Sequence, residues 1–184
     1  MTTITATKTT SKDALFNLCN QYVDCLITES TYQECANFLF YTSWFEELLF
    51  NDSKQQGISN DEKICQDLAP LLNIHCFDFF GEYFQMRYFD SLGNTTAQFS
   101  RLKLSPKISE KVKNTLWNYK QSETLLEDIL FCYLMIIYRF RNNLFHGGKG
   151  LNNINHFVSE FQIINQFMNI LMTEILNINY KGYN

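Results

Sequence analysis

Apolar side chains return every three or four positions along most of the chain, the spacing that lays one greasy face along an α-helix. Leu15, Leu18, Cys19, Tyr22, Val23 and Leu26 predict a first helix opening near Asp13, after a Thr-rich, aperiodic flexible N-terminus over residues 1–11. Phe38, Tyr41, Trp44, Phe45, Leu48 and Leu49 predict a second, capped by Ser30 or Thr31 and stopped by Asn51-Asp52 and Gly57. Ser59 followed by Glu62 is a capping box that opens a third, and Pro70 interrupts it before the aromatic stretch at 77–88. Residues 89–106 break the rhythm: Asp90-Ser91-Leu92-Gly93-Asn94 is turn chemistry, and 99–104 alternate weakly, as a short strand or ordered loop would.

Helix resumes at Pro106 and Ser109, with Val112, Leu116 and Tyr119 on one face. Ser122 is placed to cap the most regular segment, in which Leu125, Ile129, Cys132, Tyr133, Ile136, Ile137, Phe140 and Leu144 form one stripe. A last helix from about Asn153 carries Ile154, Phe157, Val158, Phe161, Ile164, Met168, Leu171, Met172 and Ile175. The expected fold is all-α, an up-and-down bundle of five to six helices in a single domain over residues 12–184, with 89–106 as an irregular connection.

Composition agrees with a packed core: the 184 residues include seventeen Phe and ten Tyr, too many for a disordered chain. The six cysteines form no C-x-x-C pair and lie among apolar neighbours, so they read as small hydrophobes in a reducing compartment, with no metal site expected. The longest apolar run, residues 129–138, is too short for a membrane span, and the N-terminus has no signal-peptide core. A cytoplasmic protein without membrane contact is expected. Net charge is −4, which taken whole speaks against a nucleic-acid partner. The charge is split, however. Residues 1–100 carry five basic and thirteen acidic side chains, whereas residues 101–184 carry ten basic and six acidic, so a polyanion would be steered to the second half.

Chemistry concentrates at Arg139-Phe140-Arg141-Asn142-Asn143-Leu144-Phe145-His146-Gly147-Gly148-Lys149, the end of an otherwise apolar helix. On an ideal helix Asn142 and His146 lie about 40° apart and Arg139 about 60° to the other side of Asn142. Arg141 and His146 diverge by about 140°, so they converge only if the helix loosens or a second chain supplies the partner group. A plain helix stop accounts for the arginines, the lysine and the glycines. It does not account for two adjacent asparagines, poor helix formers, ahead of the histidine.

The run from Arg141 to His146 resembles the R-x(4–6)-H motif of HEPN domains, and residues 139–149 look like the version in bacterial defence and toxin proteins. The resemblance is sharp over about eleven residues and only architectural elsewhere. It implies a homodimer whose two motifs share a cleft, and a metal-independent endoribonuclease of single-stranded RNA in a toxin–antitoxin or phage-defence setting, needing no cofactor. It also implies a possible antitoxin or defence-system partner. The alternative is a non-catalytic HEPN module that binds RNA, a nucleotide or a partner toxin; a helical interaction protein, whose motif is only a helix stop, is a third reading.

RNA carries its own nucleophile in the 2′-OH. His146 could take that proton or give one to the leaving 5′-oxygen, while Arg141 neutralises the charge building on the phosphorane and Asn142 orients His146 or hydrogen-bonds a phosphate oxygen. Arg139, Lys149 and Asn143 would hold flanking phosphates or bases. One histidine cannot readily be base and acid together, and a symmetric dimer supplies two. Elsewhere, His75 and His156 read as surface positions, Glu46-Glu47 as a solvated pair at a helix end ahead of an acidic partner from a packed helix, and 77–84 as core and dimer packing ahead of a base-stacking face. Gly147–Gly150 follows a helix instead of preceding one, which excludes a phosphate-cradling loop.

Overall fold

The computed structural model describes Asn17 and residues 27–50, 58–121, 123–145 and 151–178. The predicted first helix (Asn17 aside), the flexible N-terminus, Cys19, Cys25, Ser122, His146 and Lys149 lie outside the described residues. Within them the chain is an all-α bundle: α1 (Glu29–Phe50), α2 (Ile58–Leu68), α3 (Asp78–Tyr88), the single turn α4 (Ala97–Ser100), α5 (Pro106–Asn118), α6 (Leu126–Phe145) and α7 (Val158–Asn177). Extended pairing among the described residues is limited to one isolated bridge, Phe89 with Thr95. No helix among them is long and apolar enough to cross a membrane.

The helix boundaries follow from local chemistry. Thr28 opens α1 by accepting the Thr31 N–H on its Oγ1 at 3.1 Å, so the cap lies two to three residues before the expected Ser30 or Thr31. Thr31 Oγ1 instead donates to Asn155 Oδ1 at 2.7 Å, which ties the start of α1 to the turn before α7. Pro70 does end α2, in a 3₁₀ turn over Ala69–Leu71. Pro106 occupies the first turn of α5, where its missing N–H costs nothing.

The connection between α3 and α5 is ordered. Asp90 Oδ1 accepts the N–H groups of Leu92 and Asn94 at 2.9 and 2.8 Å, which holds its exposed carboxyl below the usual carboxylate range. The weakly alternating 99–104 is the ordered loop of the two expected forms, not a strand: Phe99 and Ser100 close α4, and 101–104 continue as a turn and loop. Phe99 and Leu102 anchor it, both buried and three apart, with the Phe99 carbonyl accepting the Leu102 N–H at 3.0 Å.

The expected apolar stripe on α6 underestimates its burial. Ile129 through Ile137 are buried without interruption, whereas Leu125 precedes the helix and is 57% exposed. α6 is the central rod of the bundle, flanked by α2 and α5, while α1 packs along α7. Aromatic rings join the layers. Phe80 of α3 stacks 4.6 Å from Phe167 of α7 and 4.8 Å from Tyr133 of α6, and Phe38 of α1 meets Phe140 and Phe161. Each such ring stabilises by about 1.5–3 kcal/mol through burial, plus about 0.5–1.5 kcal/mol per well-oriented pair. The 77–84 segment is therefore core, as its spacing predicts: Phe77, Phe80 and Phe84 are fully buried.

Candidate nucleic-acid interface

The C-terminal turns of α6 send their polar side chains in two directions. Arg139 and Asn143, one turn apart, face the connection after α4. Arg139 Nε donates to the Leu102 carbonyl at 2.6 Å, and Asn143 Nδ2 donates to the Arg101 carbonyl at 3.1 Å. Arg141 lies about 200° around the helix from Arg139 and meets α1, with Nη1 3.1 Å from Glu46 Oε1. The structure therefore does not gather the motif residues on one face. Asn143, expected to bind RNA, is buried and holds backbone. Arg139 likewise gives a donor to main chain instead of presenting it all to solvent. Asn142 is half-buried. The site geometry of His146 and Lys149 falls outside the described residues.

The two side chains from α6 hold a loop in an uncommon shape. Lys103 has φ 51°, in the left-handed region where a non-glycine residue is strained by roughly 1 kcal/mol. Its carbonyl neighbours, at Arg101 and Leu102, are the two acceptors bonded by α6. Behind this loop opens a cleft of about 430 Å³ lined by Arg87, Tyr88, Gln98, Arg101, Leu102, Lys103, Phe140, Asn143, His156 and Phe157. Among the described residues no carboxylate lines it. Glu160 sits behind Arg87, 1% exposed, and pairs with its guanidinium. Arg101 and Lys103 are exposed and have no carboxylate partner among the described residues. None of these four basic side chains stands out by spacing: Arg87 is a lone cation in the last turn of α3, Arg101 and Lys103 lie in the non-periodic connection, and His156 sits alone. For Arg101 and Lys103 the excess of positive charge after residue 100 is the one signal in the sequence.

On the opposite side of α6, Arg141 pairs with Glu46, and Asp61 and Tyr138 lie within electrostatic reach of that carboxylate. Glu46 is mostly buried and ion-paired, so the solvated-pair expectation holds only for Glu47, which is exposed. Burial raises the Glu46 carboxyl, and the Arg141 guanidinium partly opposes that rise. Burial, then the charges of Glu46 and Glu62, push Asp61 up to about 6. The Tyr138 phenol is raised well above its ordinary value by burial and by the Asp61 and Glu46 carboxylates. Asp61 thus favours the fold when neutral: its contribution is complete below the unfolded carboxyl value near 3.8 and is lost as pH rises through about 6. Asp61→Asn is expected to stabilise the protein by about 1 kcal/mol at pH 8, partial solvent access screening the rest, with the gain closing toward pH 4. Urea denaturation at both pH values checks this; a gain that is equal at pH 4 and pH 8 would contradict the assigned ionisation.

The remaining candidates are plainer. His75 Nδ1 lies 3.6 Å from Asp78 Oδ2 on an exposed turn, so the carboxylate neighbour that its surroundings in the sequence did not suggest is present. Cys65 and Cys132 are buried and outside any disulfide, as small hydrophobes would be, with the Cys132 thiol donating to the Val112 carbonyl at 3.6 Å, and both thiols are pushed up by burial; Cys76 is exposed. No cluster of three or more His, Cys, Asp or Glu placed to hold a metal occurs among the described residues. Comparison of the chain with protein-family models, with curated proteins and with solved structures gave no match in any of the three.

Proposed function

We propose that the protein is a HEPN-type, metal-independent endoribonuclease that cleaves single-stranded RNA as a homodimer, in a toxin–antitoxin or phage-defence setting. The observation that carries this reading is the cationic end of α6. Arg139 and Arg141 leave that helix on either side, and the loop held by Arg139 and Asn143 adds Arg101 and Lys103 beside a cleft that no carboxylate among the described residues lines. The resemblance of residues 141–146 to the HEPN motif supplies the chemistry. His146 of one copy removes the 2′-OH proton, the 2′-oxygen attacks phosphorus, and the P–O5′ bond breaks as the second copy's histidine protonates O5′. The products are a 2′,3′-cyclic phosphate and a 5′-hydroxyl. Arg141 stabilises the phosphorane, and Asn142 orients the imidazole.

The test is cleavage of a loop-rich RNA in EDTA. Wild type is expected to generate new ends, and His146→Ala to lose at least 100-fold in rate with dimerisation intact. Equal cleavage by both would remove His146 from the mechanism. A second reading, a non-catalytic module that binds RNA, a nucleotide or a partner toxin, is favoured by the Arg141–Glu46 ion pair, which occupies the arginine that the reaction needs. It predicts salt-dependent RNA binding with no new ends.

A further inference from the structure

We propose that the cleft beneath the 101–103 loop is a nucleotide-phosphate site, with Arg101 and Lys103 as the phosphate ligands and Arg139 and Asn143 as the residues that position them. The proposal deepens the RNA-binding reading and places phosphate recognition on the face of α6 turned away from Arg141.

Three independent observations carry it. The first is charge. Arg87 is already paired with the buried Glu160, so Arg101 and Lys103 supply a positive surplus that no lining carboxylate among the described residues offsets. Such a surplus in a concave, partly low-dielectric wall draws an anion. The second is shape and lining. The cavity of about 430 Å³ falls within the range of small-ligand sites, roughly 300–1,000 Å³. Its wall combines the half-buried Phe157 ring with the amide of Gln98 and the imidazole of His156, suited to the flat face and polar edges of a base. A bare inorganic anion would need none of that aromatic wall.

The third is the backbone. Lys103 is held at φ 51° although lysine gains nothing from that conformation by itself. Two α6 side chains hold the adjacent carbonyls, Arg139 on Leu102 and Asn143 on Arg101, while the Lys103 N–H donates to the Ser100 carbonyl at 3.2 Å. These bonds keep the two cations side by side at the cleft, in place before any ligand arrives. Strain maintained by surrounding contacts is a feature of ligand clamps, where preorganisation lowers the entropy lost on binding.

The phosphate could belong to a free nucleotide or to one unit of a strand, and the same residues would hold either. Fluorescence anisotropy with a labelled eight-nucleotide single-stranded RNA, and calorimetry with AMP, separate the two. The test variant is Arg101→Gln/Lys103→Asn, since asparagine tolerates the left-handed conformation. The control is Lys107→Gln/Lys113→Gln, which removes the same charge from exposed positions of α5 outside the cleft.

Wild type is expected to bind the RNA, and the Arg101/Lys103 variant to bind at least tenfold more weakly. The slope of log affinity against log salt should fall by about 1.4, two phosphate contacts at about 0.7 each. The control should lose less than threefold, and all three proteins should melt within a few degrees of one another. Binding of AMP as well, lost in the same variant, assigns the site to a free nucleotide; binding of RNA alone assigns it to a strand. Equal losses in variant and control, no loss in the variant, or no binding of either ligand by wild type would overturn the proposal. Cleavage lost in His146→Ala with RNA binding retained bears on the ribonuclease reading alone, so the two can fail separately.

Discussion

Arg87→Met is expected to destabilise the protein by about 3 kcal/mol, because it leaves the Glu160 carboxylate buried without its counter-charge. Glu160 lies on the first turn of α7 at 1% exposure, with Arg87 of α3 reaching across to it from the cleft wall. Arg87 itself retains 28% exposure, so water screens some of the loss, and the figure belongs at the low end of the range for broken buried pairs. At a chain length near 184 residues this corresponds to a fall in Tm of about 6–12 °C. Glu160→Gln in the Arg87→Met background should recover at least half of it, since an amide costs far less to bury than a charge. Urea denaturation of the two single variants and the double variant measures the coupling. A double variant no more stable than Arg87→Met would show that lost packing, and not the stranded charge, dominates.

Gly81→Ala carries the next largest expected effect, a loss of about 2–3 kcal/mol despite the better helix propensity of alanine, worth about 1 kcal/mol. A Cβ at Gly81 would stand 2.4 Å from Tyr133 Oη and 2.7 and 2.9 Å from ring carbons of Tyr119, all under van der Waals contact. Both rings are buried and wedged between α3, α5 and α6, so neither can swing aside cheaply. Tyr133→Phe removes the closest of these atoms. That hydroxyl is buried with no hydrogen-bond partner among the described residues, so its loss alone should be neutral or stabilising by up to about 1 kcal/mol. Gly81→Ala/Tyr133→Phe should therefore be more stable than Gly81→Ala, with part of the cost remaining at Tyr119. Chemical denaturation of the four-member cycle checks the sign. A Gly81→Ala protein as stable as wild type would mean that α3 can shift outward without loss, contrary to its tight packing.

The order of helices was readable because each is long, amphipathic and bounded by residues that act locally. Pro70, Pro106 and the Asp90–Asn94 turn impose their effects through backbone geometry that no distant contact has to supply. Where the start of α1 moved by two to three residues, a distant group was involved: Asn155 accepts Thr31 Oγ1 and leaves Thr28 to cap the helix. The burial of α6 on all sides was less legible. Leu130, Phe131, Leu134 and Met135 fall off the predicted stripe, and a periodicity argument assigns such positions to solvent unless the number of surrounding helices is known.

The sequence alone determined the all-α class, the interruption between α3 and α5, the aromatic core and the polar, cationic end of the most regular apolar helix. Those follow from spacing and composition, which act over a few residues at a time. Only the tertiary structure decided what that polar end touches. On a helix of 3.6 residues per turn, Arg139 and Arg141 must point to nearly opposite sides, but the chain order is silent about which neighbour each side meets. Packing gives Arg141 to Glu46 of α1 and turns Arg139 and Asn143 onto the carbonyls of a loop about forty residues earlier. Packing also brings Arg87, Arg101, Lys103 and His156, spread over seventy positions, to one cleft. A charge excess that is only a number along the chain becomes a local field because folding removes the sequence distance between its members.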